Sequence, residues 1–134
     1  MTAKINHIAI VVKDIDEALE VYQQAIGLPL EAIHDEPEEA VRVAYMPTPS
    51  GEVELIQPTT GDSGVARYLA KKGEGLHHVC LEVDNIDESV KRMKARGMEV
   101  LGSPRTNKRG DKYVFVHPKS AHGVLVELYE KSAR

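Results

Sequence analysis

Two short runs, Ile5 to Val12 and His77 to Val83, carry the two-residue apolar period of a half-buried strand. Each is followed by Asp or Asn with Glu three residues on, Asp14/Glu17 and Asn85/Glu88, a variant of the capping box that predicts a helix start. The apolar stripe then changes to helical spacing. Ile15, Ala18, Leu19, Tyr22 and Ile26 form it in the first case and Ile86, Val90 and Met93 in the second, with Gly27 and Gly97 as helix stops. Further strands are predicted at Leu30 to His34, Val41 to Met46 and Glu52 to Gln57, then at Glu99 to Leu101, Lys112 to His117 and Val124 to Glu130.

The two halves repeat one another. His7, Val12, Ile15, Asp16 and Glu17 recur at one constant offset as His78, Val83, Ile86, Asp87 and Glu88, and Val53-Glu54-Leu55 recurs as Val126-Glu127-Leu128. The pattern predicts an α+β fold made of two tandem β-α-β-β-β modules, residues 4–60 and 75–131, joined by a short helical linker at residues 62–72 within a single domain, 1–134. The modules are expected to form a curved mixed sheet around a metal-binding cleft.

Alternation puts His7, Ala9 and Val11 on one strand face, with Ile8, Ile10 and Val12 on the other. In the second copy His78, Cys80 and Glu82 take the face that matches His7, while His77 falls on the opposite one. Glu54 matches Glu127. A pseudo-twofold relation between the modules would bring both histidines and both glutamates to one cleft, where two imidazoles and two carboxylates suit a divalent borderline metal; zinc, cobalt, nickel, manganese and iron all fit. Burying two carboxylates without a compensating charge would be costly.

Composition changes this picture only by exclusion. A net charge of −4 over 134 residues gives no electrostatic reason to expect nucleic acid or an anionic membrane as partner. No run approaches the roughly 20 apolar residues that span a bilayer, and the N-terminus lacks the pattern of a signal peptide. The single cysteine, Cys80, lies in an apolar run and reads as a buried thiol in a reducing, cytoplasmic setting.

The segments "HIAIVVKDIDEALEVYQQAIGL", "GEVELIQP", "GLHHVCLEVDNI" and "HPKSAHGVLVELYE" carry a likeness. On them the chain resembles the vicinal-oxygen-chelate superfamily (glyoxalases, bleomycin-resistance proteins and dioxygenases) along its whole length, and within it the epimerases of methylmalonyl-CoA. The resemblance implies a metal-dependent homodimer that interconverts (R)- and (S)-methylmalonyl-CoA by removing the proton alpha to the thioester, with the enolate stabilised by the metal. It implies His7, Glu54, His78 and Glu127 as ligands, with His77 a neighbour of the site, and cobalt as the ion, with zinc, manganese and nickel as alternatives. It also implies Glu127 as one catalytic base. The second carboxylate of family models aligns with Val43, which leaves Glu54 as the second base, with a bound water or His122 as weaker candidates.

Cations for the CoA moiety are available at Lys71/Lys72, Arg105, Lys108/Arg109, Lys112 and Lys119, and the stretch from Thr106 to Tyr113 reads as a mobile, phosphate-facing loop. Two other readings compete. Glyoxalase I can use the same ligands on a different substrate, and a resistance protein of this superfamily would bind a small molecule without turning it over. The absence of Trp and the single Phe weigh against an aromatic binding cage. An extradiol dioxygenase would use two histidines and one carboxylate, so Glu54 is one acid too many.

Overall fold

A computed structural model describes residues 3–133. Its strands are β1 (Ala3–Val11), β2 (Ala32–Glu36), β3 (Val41–Thr48), β4 (Gly51–Pro58), β5 (Gly75–Val83), β6 (Val100–Thr106), β7 (Lys112–Val116) and β8 (Val126–Glu130). Helices α1 (Ile15–Leu19), α2 (Gly64–Lys72) and α3 (Ile86–Ala95) are interleaved with them, so the architecture is the expected α+β one.

The chain divides into two compact units, one of residues 7–77 and the other of the described residues up to Asn6 together with those from His78 on. In the first, the strands run in the order β2-β3-β4-β1, with β1 parallel to β4 and the other neighbours antiparallel. In the second, the order is β5-β8-β7-β6, with β5 parallel to β8 and the rest antiparallel. The sheet is therefore mixed, as the duplicated pattern requires.

Each helix starts where the sequence places it. The Asp14 carboxylate accepts from the backbone N–H groups of Asp16 (2.8 Å) and Glu17 (3.3 Å), and Asn85 accepts from that of Glu88 (3.1 Å). A second tie escapes the capping-box pattern. The N–H of Ile15 donates to Gln57 Oε1 and that of Ile86 to Glu130 Oε1, both at 2.8 Å, so the polar residue near the end of β4 or β8 holds the start of the helix in its own unit.

The face assignments hold within each unit. Val12, Ile15 and Leu19 pack with Ala44, Met46 and Leu55, whereas Ala9 and Val11 join Val41, Val43 and Ile56. In the other unit Val83, Ile86 and Val90 pack with Val114 and Leu128. One stripe residue departs. Beyond Leu19 the helix widens into a π-helical segment, Glu20–Ala25, in which the N–H of Ile26 reaches Val21 O at 2.8 Å. The additional residue per turn rotates the end of the segment, so Tyr22 still packs on the core while Ile26 is 59% exposed. At the end of α3 the stop is as expected: Gly97 takes φ +81°, and the N–H of Met98 returns to Met93 O.

Several strand limits differ from the pattern, and three of the differences have a local cause. β2 begins at Ala32, because Pro29 has no N–H for a ladder and Leu28 and Leu30 are drawn onto the α1 core instead. β6 runs on to Thr106, its register with β7 slipping between Leu101 and Arg105, where Gly102 and Pro104 disguise a bulged edge strand as a loop. β8 begins at Val126, because the N–H of Val124 closes a turn on Ala121 O.

The β6–β7 connection is not the free loop expected from its sequence. Asp111 is 1% exposed. It accepts from the Tyr129 hydroxyl (2.5 Å) and the Ser132 N–H (2.8 Å), while Asn107 Nδ2 and Arg109 Nη2 donate to the Tyr129 oxygen at 3.0 and 3.2 Å. Burial, reinforced by the adjacent Asp111 carboxylate, raises the Tyr129 pKa above its ordinary value, against the opposing pull of Arg109 and Asn107. A proton held more tightly in the folded state gives stability that is present below about pH 10 and declines as the pH rises beyond it. Tyr129→Phe should therefore cost about 1–3 kcal/mol near neutrality and shrink the alkaline loss of stability. Denaturant midpoints measured from about pH 7 to 11 check this, and parallel curves for the two proteins would count against it.

Candidate metal centre

The parallel strand pairs set the candidate residues. Ala9 stands opposite Glu54 across β1 and β4, and Cys80 stands opposite Glu127 across β5 and β8. In each unit the histidine lies two residues before that partner and on the same strand face. The same register thus builds the same pair twice. His7 Nδ1 lies 3.3 Å from Glu54 Oε2 in one unit, and His78 Nε2 lies 3.1 Å from Glu127 Oε1 in the other.

On its other side each glutamate has an aromatic residue, Tyr45 beside Glu54 and Phe115 beside Glu127. Phe115 also meets the His78 ring edge-on, with centroids 5.4 Å apart and planes at 89°. His7, His78 and Glu127 are buried, and the Glu54 side chain is 14% exposed. The aromatic flanks lie outside the repeats visible in the sequence, which align the histidines and glutamates and leave β3 and β7 unmatched.

Within the unit that holds His78, the buried Cys80 stands opposite the buried Glu127 and adds a sulfur donor beside the His78–Glu127 pair. Cys80 thus has a second potential beyond the buried thiol of the sequence reading. The chemistry suits a metal within each pair as well. Two donors about 2.1 Å from one ion are separated by about 3.0 Å on an octahedral edge and about 3.4 Å on a tetrahedral one, and the observed His–Glu separations lie in that interval. A buried carboxylate also gains from a nearby cation.

The other candidates lie elsewhere. His77 meets the ring of Tyr68 at 4.7 Å. Val43 is buried among Ala9, Val11, Val41 and Ile56, a core position that supplies no acid. His122 is exposed, in the left-handed region at φ 56° and ψ 39°, closing the 3-10 turn Pro118–Ala121. Lys71 and Lys72 end α2, Lys112 pairs with Asp87 at 3.3 Å, and Arg105 and Lys119 are exposed.

The chain belongs to the glyoxalase/bleomycin resistance protein/dioxygenase superfamily, whose family model matches residues 6–115. Among its relatives, the ethylmalonyl-CoA/methylmalonyl-CoA epimerase of Cereibacter sphaeroides is 37% identical over 131 residues, covering 96% of this chain and 98% of that protein. A solved structure of methylmalonyl-CoA epimerase in complex with methylmalonyl-CoA and NH4+ matches with TM-score 0.87 and 33% identity, over 99% of this chain and 97% of the other. The crystal structure of the Mycobacterium tuberculosis methylmalonyl-CoA epimerase matches with TM-score 0.87 and 28% identity, over 97% and 89%.

If these donors hold an ion, adding cobalt or zinc to chelator-treated protein should raise its unfolding free energy by about 2.7 kcal/mol at a hundredfold excess over Kd. His78→Ala should lose most of that gain together with bound metal. Thermal unfolding with parallel metal analysis checks it; a variant that keeps both would remove His78 from the ligand set.

Proposed function

We propose that the protein is a metal-dependent epimerase interconverting (R)- and (S)-methylmalonyl-CoA. The observation that carries this reading is the twice-built pair, a buried histidine beside a glutamate on parallel strands, in a chain similar over nearly its whole length to an epimerase of such thioesters. His7, Glu54, His78 and Glu127 would hold one divalent ion, cobalt first, with zinc, manganese and nickel as alternatives. When bound, the ion supplies Lewis acidity toward the substrate's thioester and carboxylate oxygens.

The protein's own groups move the proton. Glu127, kept from water by Phe115 and Cys80 at its sides, takes the hydrogen alpha to the thioester, leaving an enolate whose charge rests on the thioester oxygen. Epimerisation requires return of a proton to the opposite face, and Glu54 is the repeat-matched group for that step, since Val43 has no acid to offer. A glutamate that also binds metal must loosen from it to act as a strong base. His7 and His78 hold the two carboxylates in place through the 3.3 and 3.1 Å contacts. The reading carries with it a homodimer, and the buried thiol of Cys80 suits a reducing cytoplasm. No helix among the described residues is long and apolar enough to cross a membrane.

Proton NMR in D2O tests the assignment. Metal-loaded protein should wash out the alpha-proton signal of methylmalonyl-CoA while interconverting the epimers, and chelation should stop both. Turnover of the methylglyoxal–glutathione hemithioacetal alone would move the assignment to glyoxalase, and inertness toward both substrates would favour a binding protein. Glu54→Gln should retain much of the metal and slow exchange from one epimer by roughly 10²–10⁴. Equal slowing from both epimers would deny Glu54 a face-specific role.

A further inference from the structure

Two residues beyond Glu127 on β8, and so on the same strand face, Tyr129 stands opposite Glu82 of β5 and Tyr113 of β7. This row is layered by charge. Its acids lie inside: Asp111 is buried, and the Glu82 side chain is 16% exposed. Its cations lie outside. The Arg109 side chain is 68% exposed, with Nε 3.5 Å from Asp111 Oδ2 and Nη2 3.2 Å from the Tyr129 oxygen. Lys131 (51% exposed) and Lys4 (69%) reach Glu82 at 4.0 and 3.7 Å, and Lys108 stands exposed beside Arg109. Lys4 makes the shorter of the two contacts with Glu82, and Asp84 lines the same hollow, which leaves Arg109, Lys108 and Lys131 as the outward cations.

The turn that carries Arg109 is pre-formed. Asn107 Oδ1 accepts from the N–H groups of Arg109 and Asp111, both at 3.0 Å, the N–H of Gly110 returns to Asn107 O, and Ser132 Oγ donates to Arg109 O at 3.3 Å. A guanidinium steered by a buried carboxylate and a phenol is a fork already oriented, which lowers the ordering cost of binding an anion. Phosphate, with its several acceptor oxygens, matches such a fork flanked by lysines.

We propose that Arg109, held over β8 by Asp111 and Tyr129 and flanked by Lys108 and Lys131, is a phosphate-binding site for the nucleotide end of an acyl-CoA. The proposal rests on the acyl-CoA reading above and adds where the cofactor portion of that substrate is held. The thioester end belongs with Glu127 and the phosphate end with Arg109, on one face of one strand.

Calorimetric titration of the full chain with coenzyme A, pantetheine and inorganic phosphate decides it without reference to turnover. Coenzyme A should bind wild type in a salt-sensitive manner and about tenfold more weakly to Arg109→Gln, whereas pantetheine should bind both alike. Arg109→Lys keeps a cation beside Asp111 and guards against misfolding; it should lie between the two, and Tyr129→Phe should weaken coenzyme A while leaving pantetheine unchanged. Unchanged coenzyme A affinity in Arg109→Gln, or an equal loss for pantetheine, overturns the proposal. Inorganic phosphate binding as tightly as coenzyme A overturns its assignment to the nucleotide. A protein that binds coenzyme A through Arg109 yet exchanges no alpha proton would retain this site and lose the epimerase reading.

Discussion

The parallel register of β1 with β4, and of β5 with β8, is the constraint on which the candidate centre depends. It places each glutamate opposite the residue two positions beyond a histidine, so that imidazole and carboxylate meet at 3.3 and 3.1 Å on a face otherwise lined by Ala9 or Cys80 and an aromatic ring. A slip of one residue would turn the glutamate into the helix-packed core, where Leu55 and Leu128 now lie, and expel a leucine from it. Packing and chemistry are therefore fixed by one choice, and the apolar neighbours of Glu54 and Glu127 enforce the position of the acids.

Much of this was legible in the sequence because the chain repeats itself. A histidine on a strand carries little information alone, but His7 and His78 at one offset, with Glu54 and Glu127 in matched tripeptides, specify which face and which residue. The helix starts at Asp14 and Asn85 were legible for a local reason, since capping involves only neighbours in sequence. The features that stayed hidden depend on partners distant in sequence. The π-helical widening after Leu19, the bulge that carries β6 past Gly102 and Pro104, and the burial of Asp111 under Tyr129 are set by tertiary contact, and propensity reads the first as plain helix and the other two as loop.

The second half of each unit also shows where duplication stops. Tyr45 and Phe115 occupy equivalent places beside their glutamates, yet they differ in their surroundings. Phe115 offers its neighbours no hydroxyl and sets the His78 ring edge-on; the Tyr45 hydroxyl is 3.1 Å from a carboxylate oxygen of Glu36. Two units built from one plan thus set their glutamates in surroundings of unequal polarity. An enzyme that must handle both hands of one carbon has reason to keep two similar acids in different surroundings.

The ties from Gln57 to Ile15 and from Glu130 to Ile86 give the fold a further property. Each tie is anchored three residues beyond a glutamate of the candidate centre, so the strand segments 54–57 and 127–130 are measured lengths, with the acid at one end and a helix start at the other. A residue gained or lost inside either segment would displace one of these anchors and reverse the faces between them. Exchanges of side chain at constant length leave both anchors where they are, whereas a change of length is absorbed without moving them only in the turns outside these segments.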